Sequence, residues 1–459
     1  MIIERQSWRD LQDSMKKKAA RKKLLKRLSR LLFFIPLLII AFYAVSLSLR
    51  DGSRLQASIP PTILDEALSS ITKLDVQSLI QDKDLANIRN KRFDLNTDGK
   101  VLHVDTSIDM DLQNYILDQF ERTKKLTRGK PRYIAIVVLD PESGKVLAMA
   151  GFDSKSSINP CISTQYPAAS IFKIVTAAAA VEKCGLNAHS GMKFNGGKYT
   201  LYKRQLKDKT NKHTNRISFA DSFAQSVNPV FGKLGSLNLG KTTLEKYAHS
   251  FGFNRDIHFE APLAKSAMSL SDEPYNLAEI ACGFNRDTLL SPLHGALLSG
   301  TILNDGQFIE PSIIDQITDD DGQIIYTGRI HQLSQAIRPE TSSVIKKLMA
   351  STITRGTGRK SFSGFRKDPV LKKLNIGGKT GSIYNKDHDV RIDWFVGFAE
   401  EKNGSRKVAL SVLVGHEKYI GTKACKYARM VMKQYFGTPI ETNDTKHLLA
   451  QHDQDQHHL

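Results

Sequence analysis

At 459 residues the chain excludes a single small domain and leaves room for a large catalytic domain with an appendage. Its 41% hydrophobic and 25% charged residues are the proportions of an ordinary folded protein. The formal net charge of +19 would suit nucleic acid, anionic lipid or an acidic polymer. No nucleic-acid motif accompanies it, so nucleic acid is not an expected partner.

Much of the charge opens the chain. The first 30 residues hold eleven Lys and Arg against three acids, including Lys16-Lys17-Lys18 and Arg21-Lys22-Lys23. Directly after them, the nineteen residues Leu31 to Leu49 carry no charge. A helix of that length spans ~28 Å, about one hydrocarbon core, and Pro36 is tolerable within it. The basic flank predicts residues 1–30 inside the cytoplasmic membrane's inner face and everything after Arg50 outside. The run is longer than a signal-peptide core, and Ala44-Val45-Ser46 is a weak cleavage site. The expectation is therefore one uncleaved transmembrane anchor at 31–49.

Residues 50–100 read as a linker with short helices, broken early by Pro60-Pro61. A strand pattern lies at Val101–Val104. Leu112, Tyr115, Ile116 and Phe120 then recur at helical spacing, predicting an amphipathic helix from about Ser107 to Thr123. Tyr133–Leu139 is a β-rich apolar run. Asp140-Pro141-Glu142-Ser143-Gly144 makes a turn and Val146–Ala150 resumes, giving a β-hairpin. Helical patterns fill most of 169–350. Strand candidates follow at Leu374–Gly378, Trp394–Ala399 and Val408–Val414, with a last helix at about Thr422–Tyr435. Strands from both chain ends with helices between them predict an α+β fold. Its hairpin and last three strands would form one antiparallel sheet, flanked by helices and carrying an all-helical insertion. Residues 441–459 are polar and His-rich and read as a disordered tail rather than a metal site.

Cys161, Cys184, Cys282 and Cys425 form no C-x-x-C pair and no zinc spacing, so no metal is expected. Cys161 and Cys184 could pair in an outward-facing domain, with buried free thiols as the default.

The chemistry centres on Pro167-Ala168-Ala169-Ser170-Ile171-Phe172-Lys173, which leads into the helix former Ile174–Lys183, with Gly185 as its stop. Lys173 follows Ser170 by three residues, so both side chains share one helix face. A serine is a poor nucleophile until a base takes its proton, and a lysine can be that base only when burial or a neighbouring cation makes it neutral. Ser-x-x-Lys alone is uninformative. It recurs at Ser14–Lys17, Ser70–Lys73, Ser190–Lys193 and Ser343–Lys346. Ser-x-Asn likewise occurs at Ser157–Asn159, Ser226–Asn228 and Ser236–Asn238, whereas Lys-Thr-Gly occurs once, at Lys379-Thr380-Gly381. Taken singly, Ser170 could be a helix cap, Ser226 a capping hydroxyl, and Lys379 a solvated charge.

Order and setting distinguish one set. Ser170-x-x-Lys173 opens a helix after a β-hairpin. Ser226-Val227-Asn228 follows in the helical region. Gly378-Lys379-Thr380-Gly381-Ser382 ends a strand, and another strand, Asp393–Phe398, comes next. This trio resembles the active-site set of penicillin-binding proteins and serine β-lactamases. Tyr133–Gly151, Leu290-Ser291-Pro292-Leu293, Asn304-Asp305-Gly306 and Thr354-Arg355-Gly356-Thr357-Gly358 extend the resemblance over about residues 101–436. A transpeptidase domain is accordingly expected at 101–440.

The resemblance implies a peptidoglycan D,D-transpeptidase without a cofactor. Ser170 would attack the carbonyl between two terminal D-alanines of a stem peptide, and Lys173 would take its proton. Ser226 would pass a proton to the leaving amine, and Asn228 would orient Lys173. Lys379 would keep the site electropositive and help Lys173 stay neutral. Thr380, Gly381 and Ser382 would hold the substrate carboxylate, with the Ser170 and Ser382 N–H groups as oxyanion hole. β-Lactams would acylate Ser170. About fifty residues between anchor and resemblance leave no room for a glycosyltransferase domain, which points to a short class B-like enzyme with a separate glycosyltransferase partner. A D,D-carboxypeptidase, a β-lactamase and a non-catalytic sensor or scaffold are the alternatives. Trp394, His294, His388 and His416 read as packing or surface residues.

Overall fold

The structure is a computed structural model that describes residues 71–438, apart from residues 82, 98 and 99. The expected basic segment 1–30, anchor 31–49 and tail 441–459 lie outside the described residues, as do residues 50–70. Among the described residues no helix is long and apolar enough to cross a membrane.

The described residues open with α1 (Lys73–Leu79), where Thr72 and Asp75 form a capping box. β1 (Arg92–Thr97) and β2 (Lys100–Thr106) then pair antiparallel. α2 runs Met110–Lys124, its first turn closed by Asp109 accepting from the Leu112 N–H at 3.0 Å. β3 (Tyr133–Leu139) and β4 (Val146–Asp153) form the expected hairpin. After β5 (Tyr166–Pro167) and a 3₁₀ turn at Ala169–Phe172 come α3 (Lys173–Cys184), β6 (Gly191–Phe194), β7 (Asn215–Ser218), α4 (Phe219–Ala224) and α5 (Asn228–Lys233). Next are α6 (Gly240–Ser250), α7 (Pro274–Cys282), β8 (Leu289–Leu290) and α8 (Pro292–Leu303). β9 (Gln307–Ile309), β10 (Ile314–Asp319), β11 (Ile324–Thr327), β12 (Gln332–Gln335) and α9 (Pro339–Thr354) follow. The chain closes with β13 (Leu374–Tyr384), β14 (Arg391–Glu401), β15 (Lys407–His416) and α10 (Ala424–Gly437).

The hairpin and the last three strands do form one antiparallel sheet, in the order β13-β14-β15-β3-β4. Side chains alternate across a strand, and β3 uses both faces. Ala135, Val137 and Leu139 enter one core cluster, and Ile134, Ile136 and Val138 the other. That is why β3 reads as a continuous apolar run. α2 and α10 cover one face, and α8 packs on the other. Every residue of α8 is buried, as befits a helix apolar on all sides. Each fully buried Val, Leu, Ile or Phe contributes about 1.5–3 kcal/mol, so this sheet is the rigid base of the molecule.

Four expectations need correction. The region 169–350 is not all-helical, because it carries β6 to β12. Those strands are short and several pair with distant partners, β10 with β2 above all. Their stability comes from tertiary pairing that no local period reports. The linker boundary at 100 also fails: β1 and β2 are one hairpin, and the sheet β1-β2-β10-β11 ties 92–106 to strands more than 200 residues later. β1 has a single buried residue, Leu95, so its alternation is faint. Finally, Lys379–Ser382 does not end a strand. β13 continues unbroken to Tyr384 in register with β14. Gly377 and Gly378, poor strand formers, are there for space. A Cβ on Gly377 would lie 2.4 Å from the Phe398 ring, and one on Gly378 2.4 Å from Phe395. The helix expected from Ser107 begins instead at Met110, because Ser107 gives its hydroxyl to the Val146 carbonyl at 2.8 Å.

Candidate active site

Ser170 sits in the 3₁₀ turn Ala169–Phe172, and Lys173 is the first residue of α3. A 3₁₀ turn has three residues per turn, so residues i and i+3 eclipse. Lys173 Nζ accordingly lies 2.8 Å from Ser170 Oγ. α3 is buried from Lys173 through Ala180. Its alanines let α6, α7 and α9 pack closely around it. The turn itself is strained, with Ala169 at φ 49°. Gly283, at φ 67°, lies beneath it: a Cβ there would be 1.8 Å from the Ala169 carbonyl oxygen. Gly381 of β13 passes the other side, where a Cβ would come 3.4 Å from Ser170 N.

Two further segments complete the centre. Asn228, the first residue of α5, places Oδ1 2.8 Å from Lys173 Nζ. Its Nδ2 donates to the Tyr199 carbonyl at 3.0 Å, which fixes the amide's orientation. The Cys282 carbonyl also accepts from Lys173 Nζ. A neutral lysine has two N–H bonds and one lone pair. With the N–H bonds directed at Asn228 Oδ1 and the Cys282 carbonyl, the lone pair is left facing the Ser170 hydroxyl. Ser226, at φ 56°, is a second strained residue beside the chemistry. Lys379 Nζ, fully buried, donates to Ser226 Oγ at 3.0 Å and to the Thr380 carbonyl at 2.8 Å. The three sequence motifs thus converge on one site through α3, the α4–α5 connection and β13.

Burial pushes the Lys173 ammonium down to about 8, opposed only by the Cys282 thiol. Burial also holds Lys379 well below the ordinary lysine range, and the charge of Lys173 lowers it further. Desolvation is thus the cause of the lowered Lys173 value, and the Lys173–Lys379 repulsion acts on Lys379. Only the neutral amine accepts a proton, so the acylation rate should rise about tenfold per pH unit below pH 8 and level off above it. Rapid-mixing acylation rates between pH 6 and 10 measure this. A flat profile would remove Lys173 as the base.

Beyond Ser170 a cleft of about 1020 Å³ opens. Thr380 Oγ1 lies 2.6 Å from Thr357 Oγ1, and Thr357 N–H is held by the Ala224 carbonyl at 3.0 Å. Ser382 Oγ donates to Asp393 Oδ1 at 3.2 Å. Lys360, Arg391, Lys423 and Lys426 line the same cleft against a single acid, Asp393, which suits a carboxylate-bearing ligand. None of these cations was legible as a site residue in the sequence. Thr357 had a signal in the Gly-Thr-Gly segment but no role. The Tyr199 and Cys282 carbonyls have no sequence signature at all, being backbone groups.

The expectations for Trp394, the histidines and the cysteines resolve simply. Trp394 is core: its Nε1 donates to the Pro167 carbonyl at 2.9 Å. His294 is buried against the Phe251 carbonyl and its imidazolium is pushed down to about 4 by burial. His388 stacks on Tyr384, and His416 is buried near Asp393. The four cysteines are free thiols. Among the described residues no group of His, Cys, Asp and Glu could hold a metal ion.

Comparison with known proteins bears on the whole arrangement. The sequence pattern of the penicillin binding protein transpeptidase domain matches residues 134–435. Over 322 residues the chain is 25% identical to the peptidoglycan D,D-transpeptidase PbpA of Mycolicibacterium smegmatis, covering 61% of each protein. It is 26% identical over 305 residues to stage V sporulation protein D of Bacillus subtilis, covering 61% of this chain and 45% of that one. The chain thus spans less than two thirds of the length of these curated relatives. Among solved structures, the D,D-transpeptidase domain of a peptidoglycan glycosyltransferase from Eggerthella lenta superposes with a TM-score of 0.58 at 23% identity, over 73% of this chain and 82% of that one. The imipenem acyl-enzyme complex of penicillin-binding protein A from Mycobacterium tuberculosis gives 0.57 at 23% identity, over 72% and 79%. At that identity the likeness shows the fold.

Proposed function

The chain belongs to the penicillin-binding protein transpeptidase family, and from that premise we propose that it is a peptidoglycan D,D-transpeptidase with Ser170 as nucleophile. The observation that carries this reading is the 2.8 Å contact between Lys173 Nζ and Ser170 Oγ in a buried pocket that pushes the lysine's ammonium down to about 8.

Lys173 takes the Ser170 proton as Oγ bonds to the carbonyl carbon between two D-alanines of a stem peptide. The carbonyl electrons move to oxygen, where the Ser170 and Ser382 N–H groups stabilise the charge only as it develops. On collapse the C–N bond breaks. Ser226, bonded to Lys379, relays to the departing D-alanine amine the proton that Lys173 took. The substrate's terminal carboxylate binds at Thr380 and Ser382, beside the strand at Gly381. An acceptor amine then attacks the ester, releases Ser170 and forms the cross-link. A β-lactam presents a strained amide to the same serine and remains as an ester.

Leu31–Leu49 would anchor the enzyme in the cytoplasmic membrane with the catalytic unit outside, and a separate glycosyltransferase would supply its glycan strands. The Lys and Arg excess before Leu31 supports that orientation.

Intact-protein mass spectrometry with benzylpenicillin tests the reading. A lasting adduct of one drug mass is expected, absent from Ser170→Ala. Rapid hydrolysis with recovery of free enzyme would replace it with a β-lactamase. Incubating a D-alanyl-D-alanine stem peptide with an added amine separates the remaining outcomes: a new amide product supports cross-linking, and a hydrolysed product alone means a carboxypeptidase.

A further inference from the structure

In the proposed reaction the donor peptide ends at the carboxylate of its last D-alanine, which Thr380 and Ser382 receive. Nothing of the donor extends farther on that side, but the cleft does. Thr357, 2.6 Å from Thr380 through their hydroxyls, leads within three residues to Lys360. Ser382 is bonded to Asp393, whose other carboxylate oxygen accepts the Ala424 N–H at 3.0 Å and so closes the start of α10. Lys423 and Lys426 stand at that start. Arg391 lies two residues before Asp393, on the same face of β14. Lys360, Arg391, Lys423 and Lys426 therefore line the part of the cleft beyond the hydroxyls that receive the D-alanine carboxylate.

Among the described residues none of these four cations forms an ion pair or donates a side-chain hydrogen bond. Asp393 is the one acid of the lining, and both its oxygens are already taken. The two lysines of α10 also sit against its dipole. A helix N-terminus favours acids, yet here Lys423 is at the cap and Lys426 in the first turn, with no acid there. Helix stability does not explain them. Solubility would be served by charges anywhere on the surface, whereas these four converge on the cleft that holds Ser170.

Attack on the acyl-enzyme retraces the departure of D-alanine. The acceptor nitrogen takes the place the leaving nitrogen held near Ser226 and bonds to the ester carbon, and the C–Oγ bond breaks. The proton shed by the amine returns through Ser226 and Lys173 to Ser170 Oγ. Substituents on the acceptor's amine-bearing carbon then run past Thr380 and Ser382 toward the four cations. We propose that Lys360, Arg391, Lys423 and Lys426 form the acceptor subsite and select an acidic acceptor peptide, with a free carboxylate on the amine-bearing carbon and at least one more beyond it. This inference rests on the D,D-transpeptidase reading. An acceptor amine on a neutral or amidated chain would leave these cations without a counter-charge.

The test incubates the full chain with a D-alanyl-D-alanine stem peptide and two synthetic acceptor peptides in equal amounts. Both carry the same amine; one keeps its carboxylates free and the other has each as an amide. Mass spectrometry reads the ratio of the two cross-linked products. Both acceptors draw on the same acyl-enzyme, so the ratio does not depend on how fast Ser170 is acylated. The acidic product should exceed the amidated one roughly tenfold or more. Arg391→Gln combined with Lys423→Gln and Lys426→Gln should bring the ratio close to one, and Lys426→Gln alone should give an intermediate ratio. Lys347→Gln combined with Arg366→Gln and Lys372→Gln removes as much charge outside the cleft and should keep the parent ratio. A parent ratio near one, or cleft variants that keep the parent's preference, would overturn the subsite. An equal loss in the variant changed outside the cleft would overturn it too, by assigning the preference to net charge. Hydrolysed donor with no product from either acceptor would overturn the transpeptidase reading itself, and the subsite with it.

Discussion

Replacing Lys173 with methionine should slow acylation of Ser170 by benzylpenicillin about 10²–10⁴-fold, the range expected for losing a positioned general base. Methionine keeps the length and apolar stem of the side chain, and the fully buried pocket accepts it by volume. Removing the amine also removes a buried charge, whose desolvation already depresses its basicity. The Asn228 amide oxygen and the Cys282 carbonyl each lose a donor, which costs about 1–3 kcal/mol per unsatisfied group. The net change in thermal stability should therefore be modest, and the rate loss should be far larger than any loss of folded protein. The measurement is acylation rate beside a thermal melt of the same sample. A folded variant that acylates at the parent rate would remove Lys173 from the mechanism.

Gly283→Ala should produce the second large effect, and through geometry rather than chemistry. The residue combines φ 67° with a Cβ position 1.8 Å from the Ala169 carbonyl oxygen. The left-handed backbone costs a non-glycine residue about 1–3 kcal/mol, and overpacking adds a similar amount. Relief requires α7's end or the Ser170 turn to move. A displacement of about 1 Å at a nucleophile costs roughly 10²-fold in rate. The expected outcome is a lowered melting temperature together with acylation slowed about a hundredfold. Gly185→Ala is the matched control. It has φ 64° but no heavy atom within 4 Å of its Cβ position, so it should lose stability alone and acylate normally. Equal acylation by the two variants would mean that the Ser170 turn does not rest on Gly283.

Local pattern alone encodes several parts of this protein. The unbroken apolar run Tyr133–Leu139 had to be a strand buried on both faces. The alanine-rich segment after Ser170 had to be a helix, stopped by Gly185 in the left-handed conformation at φ 64°. Ser170, Lys173, Ser226, Asn228, Lys379, Thr380, Gly381 and Ser382 stood out as candidates because their spacing and order are themselves the signal, and the fold brings their three segments together. Tertiary structure decided what depends on contacts between distant segments. It extended β13 through Lys379-Thr380-Gly381, where the lysine and glycine have low strand propensity, because β14 pairs with all three and its phenylalanine rings occupy the space two glycines leave. It brought β1 and β10 into one sheet with β2. It placed the Cys282 carbonyl on Lys173 and Gly283 under Ala169. It also buried both lysines, and that burial is what pushes the Lys173 ammonium down to about 8. A side chain's identity is local, but its desolvation belongs to whatever the fold packs around it, and so proton affinity was the one catalytic property that the motifs named without being able to set.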